Sequence, residues 1–97
     1  MEVEKAVGFD WNQGNLLKNW EKHGVKYTEA EEIFNDKDRK IYKDVKHSTN
    51  EDRYLALGKT AAKRKLAVDF VFRGKRIRII SARAMSKKEK IVYEKRV

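Results

Sequence analysis

Ninety-seven residues suffice for one hydrophobic core, so a single domain over residues 1–97 is expected. Hydrophobic and charged residues each make up 40% of the chain, the net charge is +9, and cysteine is absent, which excludes disulfides and thiolate metal sites. No apolar run nears the ~18 residues of a membrane span, and the start MEVEKAVGFDW lacks the basic-then-apolar layout of a signal peptide, so a soluble cytoplasmic protein is expected.

In chain order, Gly8–Trp11 reads as a short strand. Asn12 suits a helix N-cap, with Leu16, Leu17 and Trp20 on one apolar face, which assigns Trp20 to the core. Gly24 is placed to end that helix in the left-handed conformation, after Lys22 and His23. Thr28 and Glu31 have the spacing of a capping box for a second helix, whose apolar stripe is Ala30, Ile33 and Phe34. Lys40–Val45 reads as an edge strand, given its lysines. Arg53–Gly58 is the next strand, with Leu55 and Leu57 on the Arg53 side and Tyr54 and Ala56 opposite.

The most regular stretch is Arg64–Arg83. Leu66, Val68, Phe70 and Phe72 alternate with Ala67, Asp69 and Val71. After Arg73-Gly74-Lys75 the alternation resumes with Ile77 and Ile79, so the stretch reads as a hairpin. Ser86 and Glu89 form a capping box for a last helix that turns Ile91, Val92 and Tyr93 to the sheet. The expected fold is α+β: an antiparallel sheet of four to five strands, two N-terminal helices and one C-terminal helix.

Charge is unevenly spread. Residues 1–36 carry 4 basic against 8 acidic side chains, whereas residues 37–97 carry 20 against 7. A polyanion-binding half with an acidic flank accounts for this, as does a solvated lysine-rich surface. No P-loop, dinucleotide fingerprint or zinc-protease motif occurs, and two histidines do not make a metal site.

Arginine stands in unusual places. Arg53 continues the Leu55/Leu57 face, and Arg83 by parity continues the Ile77/Ile79 face. Such an arginine reaches the sheet rim, pairs with a carboxylate such as Glu51 or Glu89, or holds an anionic ligand; the spacing leaves all three open. In a simple meander the two lie at opposite ends of the sheet, roughly 20 Å apart. His47 is a candidate for proton exchange, and Trp11 and Tyr54 offer faces for base stacking.

These segments resemble the BrnT toxins of bacterial type II toxin–antitoxin modules: FDWN (Phe9–Asn12), Asn19 with KHGV (Lys22–Val25), EAxxIF (Glu29–Phe34), EDRYLALG (Glu51–Gly58) and RIRIISAR (Arg76–Arg83), then Glu89 and Tyr93. The resemblance implies a RelE-like fold and metal-independent RNA cleavage that stops translation, with no cofactor. It also implies a BrnA-type antitoxin, operator DNA being bound only through the toxin–antitoxin complex. Where that family usually has a lysine early in the first helix, this chain has Asn15, with Lys18 nearby. In an endoribonuclease of this kind the expected site is Arg83 and Arg53 as phosphate clamps. Glu51 is the base or orients Arg53, His47 is a candidate acid, and Arg76, Arg78, Lys22, Trp11 and Tyr54 contact RNA. A non-catalytic RNA- or DNA-binding module and a basic protein-interaction domain are the alternatives.

Overall fold

The computed structural model describes residues 2–95, apart from the side chains of Asn15, Leu16 and Asn19. Its elements are β1 (Phe9–Asp10), α1 (Gln13–His23), α2 (Tyr27–Glu32), β2 (Lys40–Lys43), β3 (Tyr54–Lys59), β4 (Lys65–Arg73), β5 (Arg76–Ala84) and α3 (Lys87–Glu94). Short 3-10 turns occupy Val3–Lys5, Ile33–Asn35 and Val45–His47.

Local chemistry sets most of these boundaries. Asn12 Oδ1 accepts the Gly14 N–H at 2.9 Å, as an N-cap should, and Gly24 closes α1 at φ +62°. The Ser86–Glu89 capping box is formed in both directions, at 2.8 and 3.2 Å. The second helix starts earlier than the Thr28–Glu31 spacing indicates. Glu29 folds back onto the Lys26 N–H at 3.0 Å, which makes Lys26 the cap. Two overlapping S/T/K-x-x-E spacings were available, and the carboxylate that also meets Arg64 prevails.

The five strands lie in the order β1-β5-β4-β3-β2. β2 through β5 form an antiparallel meander, but β1 pairs parallel with β5 through Phe9 opposite Ile77 and Asp10 opposite Arg78. The sheet is therefore mixed, not purely antiparallel. A two-residue strand offers no periodicity, so its direction was illegible in the sequence.

One face of the sheet carries Tyr54 and Ala56, then Leu66, Val68, Phe70 and Phe72, then Ile77, Ile79 and Ala82. This face packs with Val25, Ala30, Ile33 and Phe34 as the main core. Phe70 is its centre, edge-on to Phe34 at 5.2 Å and stacked on Tyr54 at 5.6 Å. Gly58 is required where the turn at Ile33 crosses β3: a Cβ there would meet Ile33 Cβ and O at 2.9 Å. The opposite face carries Leu55, Leu57 and Ala67, which with Met85 and Tyr93 form a smaller core under α3.

A bulge in β5 decides which face Arg83 occupies. Phe70 pairs with Ile79 and Asp69 with Ser81, leaving Ile80 as the extra residue. Beyond it the alternation inverts, so Ala82 joins the main core while Ser81 and Arg83 turn to the α3 side. Parity had placed Arg83 with Ile77 and Ile79; the inserted residue overturns that and puts it on the face of Arg53.

Two apolar assignments also fail. Trp20 and Leu17 are 54% and 59% exposed, and Leu16, named for the same helix face, lies outside the described side chains. On α3 only Tyr93 is buried, while Ile91 and Val92 are exposed. The helix docks through a polar latch: Tyr93 Oη donates to Asp36, which also accepts the Lys59 N–H at 2.9 Å and the Asp38 N–H at 3.0 Å.

Candidate active site

On the α3 side, strand register sorts the side chains into rows. Leu57, Ala67 and Arg83 form one, and Leu55, Asp69 and Ser81 the next. Continuing the register one residue past Tyr54 places Arg53 beside Val71 and Arg78. α3 covers the first row and leaves the third open. Val71 is nevertheless only 1% exposed although it belongs to neither apolar cluster. Its register neighbour on β5 is Arg78, and Arg53 follows by continuation on β3; both carry aliphatic stems long enough to shield it.

The open end of this face concentrates guanidinium groups. Arg73 and Arg76 lie opposite each other at the turn formed by Gly74, whose φ is +59°, and Arg78 donates to Asp10 Oδ2 through Nη2 at 2.9 Å and Nε at 3.2 Å. Arg53 differs from them in burial. Like the exposed Arg76, it makes no ion pair or side-chain hydrogen bond among the described residues, but its Nε is buried without a partner. Leaving such a donor unsatisfied costs about 1–3 kcal/mol, the kind of local cost that clusters at functional sites.

Beside Arg53 lies an acid–base pair. The Asp44 N–H donates to the Arg53 carbonyl at 2.7 Å, and Ser48 Oγ accepts the Arg53 N–H at 2.9 Å. Asp44 Oδ2 meets His47 Nδ1 at 2.8 Å, with His47 exposed. Burial pushes the Asp44 carboxyl up, but the His47 hydrogen bonds and the charges of His47 and Arg53 outweigh it and hold the carboxyl below its usual range. An ionised carboxylate only accepts, so Nδ1 carries the proton and Nε2 is left for exchange with a substrate.

Not every expected site residue joins this group. Glu51 does not orient Arg53; it pairs with Arg73 at 3.0 Å. Arg83 forms a fork with Glu89, Nη1–Oε1 at 2.6 Å and Nη2–Oε2 at 2.9 Å. That fork raises Arg83 further above its ordinary range and, together with the Ser86 N–H, lowers Glu89 despite burial. Arg53 and Arg83 are four residues apart along the strands and two strands apart across them, about 16 Å between backbones. Tyr54 belongs to the main core on the opposite face. Trp11 also packs there, and its indole donates to Glu31 at 2.7 Å, so neither aromatic is presented beside Arg53. Lys22 is exposed next to His23, whose carbonyl accepts from Arg64 at the other end of the strands. Lys18 is exposed, and the Asn15 side chain lies outside the described residues.

The sequence reading missed Asp44, Asp10 and the Asp69–Ser81 pair, joined at 2.9 Å. Asp69 was detectable as a carboxylate interrupting an apolar strand; Asp44 and Asp10 carried no signal until their partners were placed. The described residues hold no group of three or more His, Cys, Asp or Glu arranged to bind a metal ion, and no described helix is long and apolar enough to cross a membrane.

Because Gln at N3 preserves the capping box, Glu89→Gln isolates the Arg83 ion pair. Stability should fall by only about 0.5–1 kcal/mol, since Arg83 is part-exposed and screened. Urea unfolding should show the gap from wild type narrowing in 1 M salt.

An α+β chain that gathers arginines on one sheet face, with an Asp–His pair in the adjoining turn, carries the groups that phosphodiester chemistry uses. The specific family follows from comparison. Residues 11–89 match the family described as the ribonuclease toxin, BrnT, of type II toxin–antitoxin systems, and the chain belongs to it. Among solved structures, the crystal structure of the Brucella abortus ribonuclease toxin, BrnT, is similar in fold. Its TM-score is 0.64 at 22% identity, over 84% of this chain and 100% of that one. No curated protein sequence matches.

Proposed function

We propose that this ribonuclease toxin is a RelE-like endoribonuclease of one domain that stops translation by cutting RNA without a metal ion. The observation that carries the proposal is the guanidinium of Arg53, unpaired among the described residues, beside the Asp44–His47 pair. The RNA 2′-hydroxyl loses its proton to a base and its oxygen attacks the adjacent phosphorus. The bond to the 5′-oxygen breaks, and that oxygen takes a proton from an acid. Arg53 holds the non-bridging oxygens as charge builds on them. His47, fixed through Nδ1, exchanges protons at Nε2, as base when neutral and as acid when protonated. Glu51 remains the rival for the base.

Arg76, Arg78 and Arg83 then hold neighbouring phosphates along the face. At about 16 Å from Arg53, Arg83 serves a different phosphate from the scissile one. A BrnA-type antitoxin neutralises the toxin, and operator DNA is bound only by their complex. The cytoplasm, where RNA and ribosomes are, is the expected site of action.

Purified protein should cut a mixed-sequence RNA into products ending in 2′,3′-cyclic phosphate, at the same rate with excess chelator. It should also halt a cell-free translation reaction. Loss of cutting in chelator would overturn metal independence. RNA binding that weakens roughly 100-fold between 50 and 200 mM salt, as ~5 single-strand phosphate contacts require, with no cutting over hours, would make the protein a binding module instead.

A further inference from the structure

α3 leaves part of the sheet face uncovered on the side of β2. There a groove of about 400 Å³ is lined by Tyr42, Leu55, Leu57, Lys88, Glu89 and Val92, and its walls expose only apolar atoms. Three features define what fits. β2 is the outermost strand, so half of its backbone N–H and C=O groups point outward without a neighbouring strand. Its Ile41 and Tyr42 are 36% and 44% exposed, and Val92 across the groove is 40% exposed. The surroundings are cationic: Lys46 follows β2, and Lys87, Lys88 and Lys90 lie on α3, none of them in an ion pair among the described residues.

Like charges exclude a second copy of this chain on that edge, because lysines would face lysines. The flanking lysines attract any polyanion, but the exposed walls between them are apolar and offer a phosphate no donor, so an RNA strand would leave the groove itself unfilled. An acidic protein strand meets both conditions, and a toxin of this family has a protein partner of its own, the antitoxin.

We propose that the free edge of β2 and this groove seat an extended, acidic segment of the antitoxin, paired backbone to backbone with β2. Alternate apolar side chains of that segment fill the groove, and its carboxylates meet the lysines. This rests on the toxin reading and adds how the toxin is silenced. The groove includes Glu89, the partner of Arg83, and Leu55, which shares a row with Asp69 and Ser81. A segment lying there covers the approach to the arginine face without touching Arg53.

The test is calorimetric titration of the co-encoded antitoxin into the full chain, wild type and the exposed-site variants Tyr42→Asp and Val92→Asp, with thermal unfolding confirming that each variant is folded. Each substitution should weaken antitoxin binding at least tenfold, and the double variant about 100-fold. RNA cleavage by the variants should persist and escape inhibition by an equimolar antitoxin. In the wild-type complex, amide exchange should slow at residues 40–43. Wild-type affinity in both variants would overturn the proposal, as would protection confined to the exposed Leu17/Trp20 side of α1. Failure of the ribonuclease reading would appear separately, as a wild-type chain that binds the antitoxin but cuts no RNA.

Discussion

Arg53→Met should lower RNA cleavage by about 10²–10³, the cost of removing one preorganised donor to a developing oxyanion, with little change in stability. Methionine keeps an aliphatic stem over Val71 and removes the charge. The wild-type guanidinium makes no ion pair or hydrogen bond among the described residues, and its buried, unsatisfied Nε offsets its longer-range attraction to the Asp44 carboxylate. The variant should therefore unfold at the wild-type temperature or slightly above it while failing to cut. A structural arginine would give the opposite pair of results: stability lost and activity retained in the molecules still folded. Single-turnover cleavage measured alongside thermal unfolding separates the two. Unchanged cleavage would remove Arg53 from the mechanism and leave the Asp44–His47 pair without its phosphate clamp.

Asp36→Ala should be the most destabilising polar substitution, at about 3 kcal/mol. Asp36 is only 9% exposed and collects the Tyr93 hydroxyl and the backbone N–H groups of Asp38 and Lys59. Removing it strands all three donors and releases α3 from the end of β3. At 4–8 °C per kcal/mol for a domain of this size, the melting temperature should drop by about 12–24 °C. Tyr93→Phe, which removes one of the three donors and leaves Asp36 with the Asp38 and Lys59 N–H groups, should cost about half as much or less. Acid should mimic the loss. Burial pushes the Asp36 carboxyl up, but its hydrogen bonds, that of Tyr93 foremost, bring it below the usual range. A folded-state pKa below the unfolded value means that this stability is present above the ordinary carboxylate range and disappears as pH falls through the lowered value. Wild type should therefore lose stability below about pH 4, and Asp36→Asn should show a shallower loss there, measured by urea unfolding against pH.

How much of this was readable in advance depends on how local each signal is. The β4–β5 hairpin was legible because alternating residues on both sides of one glycine specify it without help from elsewhere. The Asn12 and Ser86 caps were legible for the same reason, each being complete within a few residues. Trp20 misled because an apolar residue on a helix does not say whether anything covers it; here nothing among the described residues buries it. Arg83 misled because the alternation through Ile77 and Ile79 was carried across Ile80, and a bulge of this kind has no glycine or proline to announce it. The candidate site was half legible. Arg53 and His47 could be picked out by residue type, but Asp44 acquires meaning only when the turn at Val45–His47 folds it under the imidazole. Glu51 was assigned to Arg53 because it is two residues away, whereas its partner Arg73 is 22 residues distant.

The extra residue at Ile80 has a wider effect. A strand that switches allegiance midway contributes Ile77, Ile79 and Ala82 to one layer and Arg78, Ser81 and Arg83 to the other, so β5 serves both interior and exterior. Substitutions along it therefore act on one layer at a time. Loss of Ile80 would only straighten the strand, because Asp69 would still face Ser81 and Ala67 would still face Arg83. The bulge thus absorbs a change of length at its own position, whereas a polar side chain at Ile79 or Ala82 strikes the aromatic layer directly.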